Sequence, residues 1–278
     1  MLSIAAFPHP GGGIIALSEN SVIVADPTEN FVRLLEKGKE PKRLVSKFHG
    51  HWMAQGLNGN LYVEAFQESG GAWSSAAFQF DLQSGKLTEV IHRDEIRALT
   101  FAVDRDGSLV FQRGSSLVSR ANGKESPFRP SSNPPMVGKV TAYAWAPDGE
   151  LLFSDQNQIR RIDRNGVASL VAKIEGKFLE PNIWNVSETP TIFSLAIDDK
   201  GSVLAALPDL GKVYRVDKNG KLHEIAHSED GWRATGVATF GDAIFLSESD
   251  SRASASPRVR IVRSNGTVDL LTIPPPSR

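Results

Sequence analysis

The sequence predicts an all-β chain folded as a six-bladed β-propeller, four antiparallel strands per blade, in a single domain over residues 1–278. Three observations predict it. Apolar alternation broken by an Asn-Gly turn, a hairpin signal, appears in "DQNQIRRIDRNGVASLVA" from Asp155, "GKVYRVDKNGKLHEIA" from Gly211 and "RVRIVRSNGTVDLLTI" from Arg258. The turn glycines Gly38, Gly85, Gly123, Gly166, Gly220 and Gly266 are spaced by 47, 38, 43, 54 and 46 residues, a period that belongs to propeller blades. A second hairpin with an Asp, Asn or Gly turn precedes each of these: "ALSENSVIVAD", "GLNGNLYVEA", "AVDRDGSLVF", "WAPDGELLFSD", "AIDDKGSVLA" and "ATFGDAIFLSE".

Each unit therefore carries strands a to d, with a–b the upstream hairpin and c–d the Asn-Gly hairpin. The blades run roughly over 11–48, 49–93, 95–134, 138–174, 190–228 and 232–274. In the first, Phe31–Leu35 is assigned to strand c rather than to a helix, because the repeat puts strand c there. In the last, "TVDLLTI" supplies strand d, and "LSIAAF" at 2–7 is a candidate extra strand for closing the ring. One blade cannot bury both of its faces; several around an axis cover one another.

Composition narrows the function. Charged residues make up 23% of the chain, 31 basic against 32 acidic, so no long-range field draws nucleic acid or an anionic membrane. The densest basic run, Lys37, Lys39, Lys42 and Arg43, is interleaved with Glu36 and Glu40 and reads as a solvated edge. With no cysteine, disulfides, thiolate metal sites and a Cys nucleophile are excluded. No apolar window is long enough for a membrane span, and "MLSIAAFPHP" lacks a charged n-region. The expected location is cytoplasmic as the chain stands, or periplasmic or secreted if a signal peptide was removed. A monomer is expected.

"DQNQIRRIDRNG" and "GKVYRVDKNG", each after a hairpin with Asp and Gly in its turn, resemble NHL repeats. The arrangement is similar to the wider group of senescence-marker/gluconolactonase and strictosidine-synthase-like propellers. The resemblance covers almost the whole chain and implies the fold; such propellers host lactonases, lyases and binding modules alike. The lactonase-type members bind a divalent metal through Glu, Asn and Asp at blade entries. Their Glu-Gly-Pro opening is missing here, and "PTIFSLAID" stands where they have Pro-Asp-Gly, so that activity is not carried over and no cofactor is expected.

Propeller topology puts a–b and c–d turns on one face, and b–c loops and d–a links on the other. Four long segments, 65–76, 124–139, 173–190 and 247–257, all fall in the second set, so that face is expected to carry function. At the entries to the innermost strands stand His51, Trp52, Arg97, Tyr143, Trp232 and Arg233. They are expected to converge on one channel-mouth pocket, the rings for stacking and the arginines for an anion. Trp145 and Phe193 read as packing between blades.

Other chemistry is thinner. His49 and His51 share one side of a strand, with His9 and His92 before flanking blades, but no carboxylate is placed to complete a metal site. There is no Gly-x-Ser-x-Gly. Asp26, Asp155 and Glu248 end strand b in three blades and are expected to brace the following loops through backbone N–H groups. Asp163 and Asp217 read as turn residues. The expected function is a binding module for a small molecule, glycan or protein on the long-loop face; the alternative is a hydrolase or lyase acting on a small polar substrate.

Overall fold

The computed structural model describes residues 12–46, 49–69, 72–96, 100–130, 137–179, 189–229, 231–250 and 256–273. It contains six sheets of four antiparallel strands, each sheet built from strands consecutive in sequence. Blade 1 holds β1 (Ile14–Ser18), β2 (Ser21–Asp26), β3 (Phe31–Glu36) and β4 (Lys42–Ser46). Blade 2 holds β5 (Met53–Gln55), β6 (Leu61–Ser69), β7 (Ala72–Phe80) and β8 (Leu87–Ile96). Blade 3 holds β9 (Phe101–Val103), β10 (Leu109–Arg113), β11 (Ser116–Ala121) and β12 (Lys124–Pro127). Blade 4 holds β13 (Tyr143–Trp145), β14 (Leu151–Asp155), β15 (Gln158–Ile162) and β16 (Ala168–Lys173). Blade 5 holds β17 (Ser194–Ile197), β18 (Val203–Leu207), β19 (Lys212–Val216) and β20 (Leu222–His227). Blade 6 holds β21 (Trp232–Phe240), β22 (Ala243–Asp250), β23 (Arg258–Val262) and β24 (Val268–Leu271).

The strands form where the apolar alternation runs, and strand b is the most buried of each set. Ile23, Phe111, Leu151, Phe153 and Phe245 are fully enclosed, covered on both sides by neighbouring blades. The ring closes where blade 6 meets blade 1. Ile14, Val22, Val24 and Leu35 pack with Phe245, Val259 and Ile261, while Lys37 Nζ pairs with Asp269 Oδ1 at 2.8 Å. Arg263 Nη2 donates to Asn20 Oδ1 across the same seam at 2.8 Å. The candidate strand at 2–7 lies outside the described residues.

The turns differ from the two-residue form that Asn-Gly suggests. Only Asn122-Gly123 takes it, with φ of 50° and 75° and Ala121 paired to Lys124. The other clear Asn-Gly turns are wider. Asp163 N donates to Val167 O and Gly166 N to Asp163 O, so only the glycine needs positive φ, and Asp163 Oδ1 accepts the amides of Asn165 and Val167. Asp217 does the same for Asn219 and Lys221, and those amides hold its carboxyl below the usual range. The a–b turns at Asp104–Ser108, Ala146–Glu150 and Asp198–Ser202 share this pattern, so one turn type closes both hairpins.

A second correction concerns 65–76. It is not a long loop: β6 and β7 pair without a break from Leu61↔Phe80 to Ser69↔Ala72, leaving only Gly70 and Gly71 between them. Likewise β22 continues to Asp250, paired with Trp232. The alternation in "AFQESGGAWSSA" extends a hairpin.

Gly266 has φ of 81° with nothing within 4 Å of where a Cβ would stand, whereas a Cβ on Gly220 (φ 77°) would lie 2.8 Å from Val171 O of blade 4. Gly266→Ala should therefore cost about 1–2 kcal/mol for the left-handed backbone alone. Gly220→Ala should cost more, because a carbonyl must also move. Urea unfolding of the two variants measures the order; equal losses would show that the seam contact does not matter.

Candidate functional site

The six inner strands, β1, β5, β9, β13, β17 and β21, stand around the axis. Each carries an alanine at the same register: Ala16, Ala54, Ala102, Ala144, Ala196 and Ala238, paired on strand b to Val22, Tyr62, Val110, Leu152, Leu204 and Phe245. All six border one axial cavity of about 320 Å³. It runs from Gly12, Trp52 and Ser194 at the end facing the d–a links to Gly56 and Leu57 at the end facing the a–b turns. Among the described residues, no ionisable side chain other than the Tyr143 phenol borders it. Each inner strand has a strand partner along one edge only, so its other edge turns backbone N–H and C=O groups toward the axis and gives the wall, otherwise largely of alanine, aliphatic and aromatic side chains, its hydrogen-bonding capacity.

The sequence-predicted site residues divide into three groups. Trp52 and Tyr143 border the cavity. Trp52 is buried, and its Nε1 donates to Phe101 O of blade 3 at 2.7 Å, so the indole also bolts two blades together. Tyr143 is buried, and that burial pushes its phenol above its ordinary value. His51 sits one residue before Trp52 at the same end of the channel. Its ring meets His49 edge-on at 4.7 Å, and its Nδ1 lies 3.8 Å from Glu64 Oε2. Trp232 and Arg233 open β21 on the part of the hairpin that extends past the ring. Trp232 carries the Arg258 guanidinium 4.4 Å over its ring, and Arg233 Nη1 donates to Trp232 O. Neither borders the axial cavity. Arg97 lies outside the described residues.

The other sequence candidates find structural partners. His49 Nδ1 bonds Asn30 Oδ1 at 2.6 Å, and His92 stands exposed on β8, the outermost strand of its blade. Trp145 packs edge-on to Phe128 of blade 3 with centroids 6.2 Å apart. The strand-b acids do brace backbone, Asp26 accepting Glu29 N and Asp155 accepting Gly138 N, but each also holds an arginine of strand c. Asp26 Oδ2 takes Arg33 Nε at 2.7 Å and Asp155 Oδ2 takes Arg160 Nη1 at 3.0 Å. Glu248 pairs with Arg258 Nε at 2.8 Å and Arg260 Nη2 at 2.6 Å. Arg258 reaches on to Glu229 and holds that carboxyl below the usual range. The expected backbone brace is thus joined, and in Glu248 replaced, by charge pairing.

Two elements of the site escaped sequence reasoning. The alanine ring was visible as an alanine five residues before the turn glycine in "AQGLNG", "AVDRDG", "AWAPDG" and "AIDDKG". Glu64 is a buried carboxylate on β6, accepting the His51 backbone N–H at 2.9 Å and the Ser75 hydroxyl at 2.8 Å. An acid at a strand position that alternation assigns to the interior was its signal.

No protein-family model matches the chain, and no curated protein matches it. Solved structures do. A streptogramin B lyase matches with a TM-score of 0.58 at 14% identity, over 97% of this chain and 85% of its own. A gluconolactonase of Xanthomonas campestris matches with a TM-score of 0.58 at 13% identity, over 96% and 88%. A luciferin-regenerating enzyme matches with a TM-score of 0.62 at 14% identity, over 93% and 92%. What they share with this chain is the fold. All three are similar to this chain in propeller fold, and identities this low extend no further.

Glu248 is fully buried with two arginines around it, whereas the Asp155–Arg160 pair is partly open to water. Glu248→Ala should destabilise by about 3–5 kcal/mol, since it strands buried positive charge. Asp155→Ala should cost clearly less. Chemical denaturation separates the two, and a Glu248→Ala loss within about 1 kcal/mol of wild type would mean that the arginines find other acceptors.

Proposed function

We propose that the chain is a binding propeller whose ligand enters the axial channel from the end marked by His51, Trp52 and Tyr143. The observation that carries this reading is the cavity itself: about 320 Å³, or ~10 water volumes, walled by six alanines with the aromatic rings of Trp52, Tyr143 and Trp145. A wall of methyls, rings and strand edges suits a small uncharged molecule with an apolar face and a few hydrogen-bonding groups. The arginines nearest that end argue against a strongly anionic ligand, because Arg258 and Arg260 already neutralise Glu248 and Glu229.

A second reading has one specific observation behind it. His51 Nδ1 faces the buried Glu64 carboxylate at 3.8 Å, and Glu64 is fixed by Ser75. A histidine set against a buried acid is a proton-transfer arrangement, as a hydrolase or lyase needs. The solved neighbours include a lyase and a gluconolactonase, which makes lactone or ester opening the reaction class to assay.

One experiment distinguishes the two. Neutral ring fragments such as indole, benzyl alcohol and catechol are titrated by ligand-observed NMR into wild type, Ala196→Leu and His51→Gln. Saturable binding that weakens at least tenfold in Ala196→Leu, with the far-ultraviolet spectrum unchanged, supports the channel site. Binding that ignores Ala196→Leu, or none at all, refutes it. Hydrolysis of gluconolactone or a δ-lactone ester that disappears in His51→Gln while fragment binding persists assigns the second reading instead.

A further inference from the structure

The seams between blades are not packed alike. At the seam of blades 3 and 4, the residue after the ring alanine of blade 4 is Trp145. It packs on Phe128, which lies opposite Leu117 at the end of strand d. Arg129 covers both rings, at 4.9 and 5.5 Å, and donates to the carbonyls of Ile162, Asp163 and Gly149. At the seam of blades 5 and 6 the same register positions hold small side chains. Thr239 follows the ring alanine Ala238, and Ala226 lies opposite Val213, the counterpart of Leu117. A second cavity of about 320 Å³ occupies the space, walled on its apolar side by Ile225, Ala226, Ile244, Leu246 and Val262.

Its rim is charged. Asp198 is buried; its Oδ1 accepts the amides of Lys200 and Ser202, and its Oδ2 stands 3.0 Å from Arg215 Nε. That ion pair sets one edge of the Arg215 guanidinium against Asp198. The two terminal nitrogens of Arg215, and the ammonium of Lys200, meet no acceptor among the described residues. Of the acids on the rim, Asp242 takes the Ser264 hydroxyl, and Asp199 stands exposed. Arg263 is engaged with Asn20 and Asp269.

We propose that the seam of blades 5 and 6 binds a small amphipathic monocarboxylate, its apolar body in the hollow left by Ala226 and Thr239 and its carboxylate on the open edge of Arg215. The guanidinium fork matches a carboxylate in two parallel hydrogen bonds, and Lys200 adds a second positive charge. Asp199 and Asp242 disfavour a second negative charge on the same ligand. The site lies beside the axial channel and shares only Thr239 with its wall.

The test is titration calorimetry with octanoate, 1-octanol, octylamine and octanedioate as probes, on wild type, Arg215→Met, Ala226→Phe and Ala196→Leu. Octanoate should bind saturably, at least tenfold more tightly than 1-octanol or octanedioate, with octylamine weakest. Arg215→Met should bring octanoate to the level of the alcohol. Ala226→Phe copies the filling of the blade 3–4 seam and should abolish octanoate binding, while Ala196→Leu in the channel leaves it unchanged. If Ala226→Phe fails to fold, Ala226→Leu, a smaller filling of the same hollow, replaces it. The proposal is overturned if octanoate does not bind, if the alcohol or amine binds as well, or if binding survives in a folded seam-filling variant.

Discussion

Six strands that share one axis leave little room beside it, and most of the architecture answers to that crowding. At the level where the inner strands face one another directly, every blade supplies an alanine, from Ala16 to Ala238. A longer side chain at that register would close the channel or push the blades apart, and either outcome disturbs six interfaces at once. Above and below the ring the demand relaxes. Trp52 stands on one side of its alanine and Trp145 on the other, and each turns outward to a neighbouring blade, at Phe101 O and Phe128 respectively. The channel therefore owes its existence to side chains that are short, and its rigidity to wall side chains that also grip the next blade.

The second demand comes from the links. Each must travel from the outer edge of one blade to the inner strand of the next, and on arrival its amides have no strand to pair with. Side chains near the end of strand b take them. Glu64 accepts His51 N, Gln112 accepts Val140 N, Ser154 accepts Thr141 N and Ala142 N, Asp155 accepts Gly138 N, and Asp209 accepts Thr191 N. Five residues of four types do one task, which is why no motif marks it. Such bonds are worth about 1 kcal/mol each when made and more than that when a buried amide is left bare. They also hold the entry residues of the candidate site, His51 among them, at fixed positions relative to the axis.

The repeat made the fold legible from the sequence, and the same repeat set the limits on the site. Turn glycines fix the register, so the placement of strand c at Phe31, against a local helical pattern, follows from counting alone. Register also places His51, Trp52 and Tyr143 at strand entries without any knowledge of their contacts. What each one touches is set by other blades: Trp52 by a carbonyl 49 residues away, Trp232 by Arg258 across its own hairpin. Those partners are tertiary, and nothing near either tryptophan in the sequence predicts them. The turn form was misjudged for a local reason. Asn-Gly favours two positive φ angles, but an aspartate two residues before the asparagine captures the amides of the asparagine and of the residue after the glycine, and leaves the glycine alone in the left-handed region.

Near-neutral net charge has a similar local origin. The arginines of strand c are matched in place by acids on strand b, Arg33 with Asp26, Arg160 with Asp155, and Arg258 and Arg260 with Glu248. The arginines of strand c are therefore electrically quieter than the sequence suggests, and the positions where a cation keeps unmatched donors matter more than the count of cations. Seams show the same principle in volume. Backbone register makes position 145 and position 239 equivalent, and likewise positions 128 and 226. Whether the space between them is filled or open depends only on whether tryptophan and phenylalanine, or threonine and alanine, occupy them. In a ring of near-identical blades, function is written where that equivalence breaks, because the fold repeats everything else.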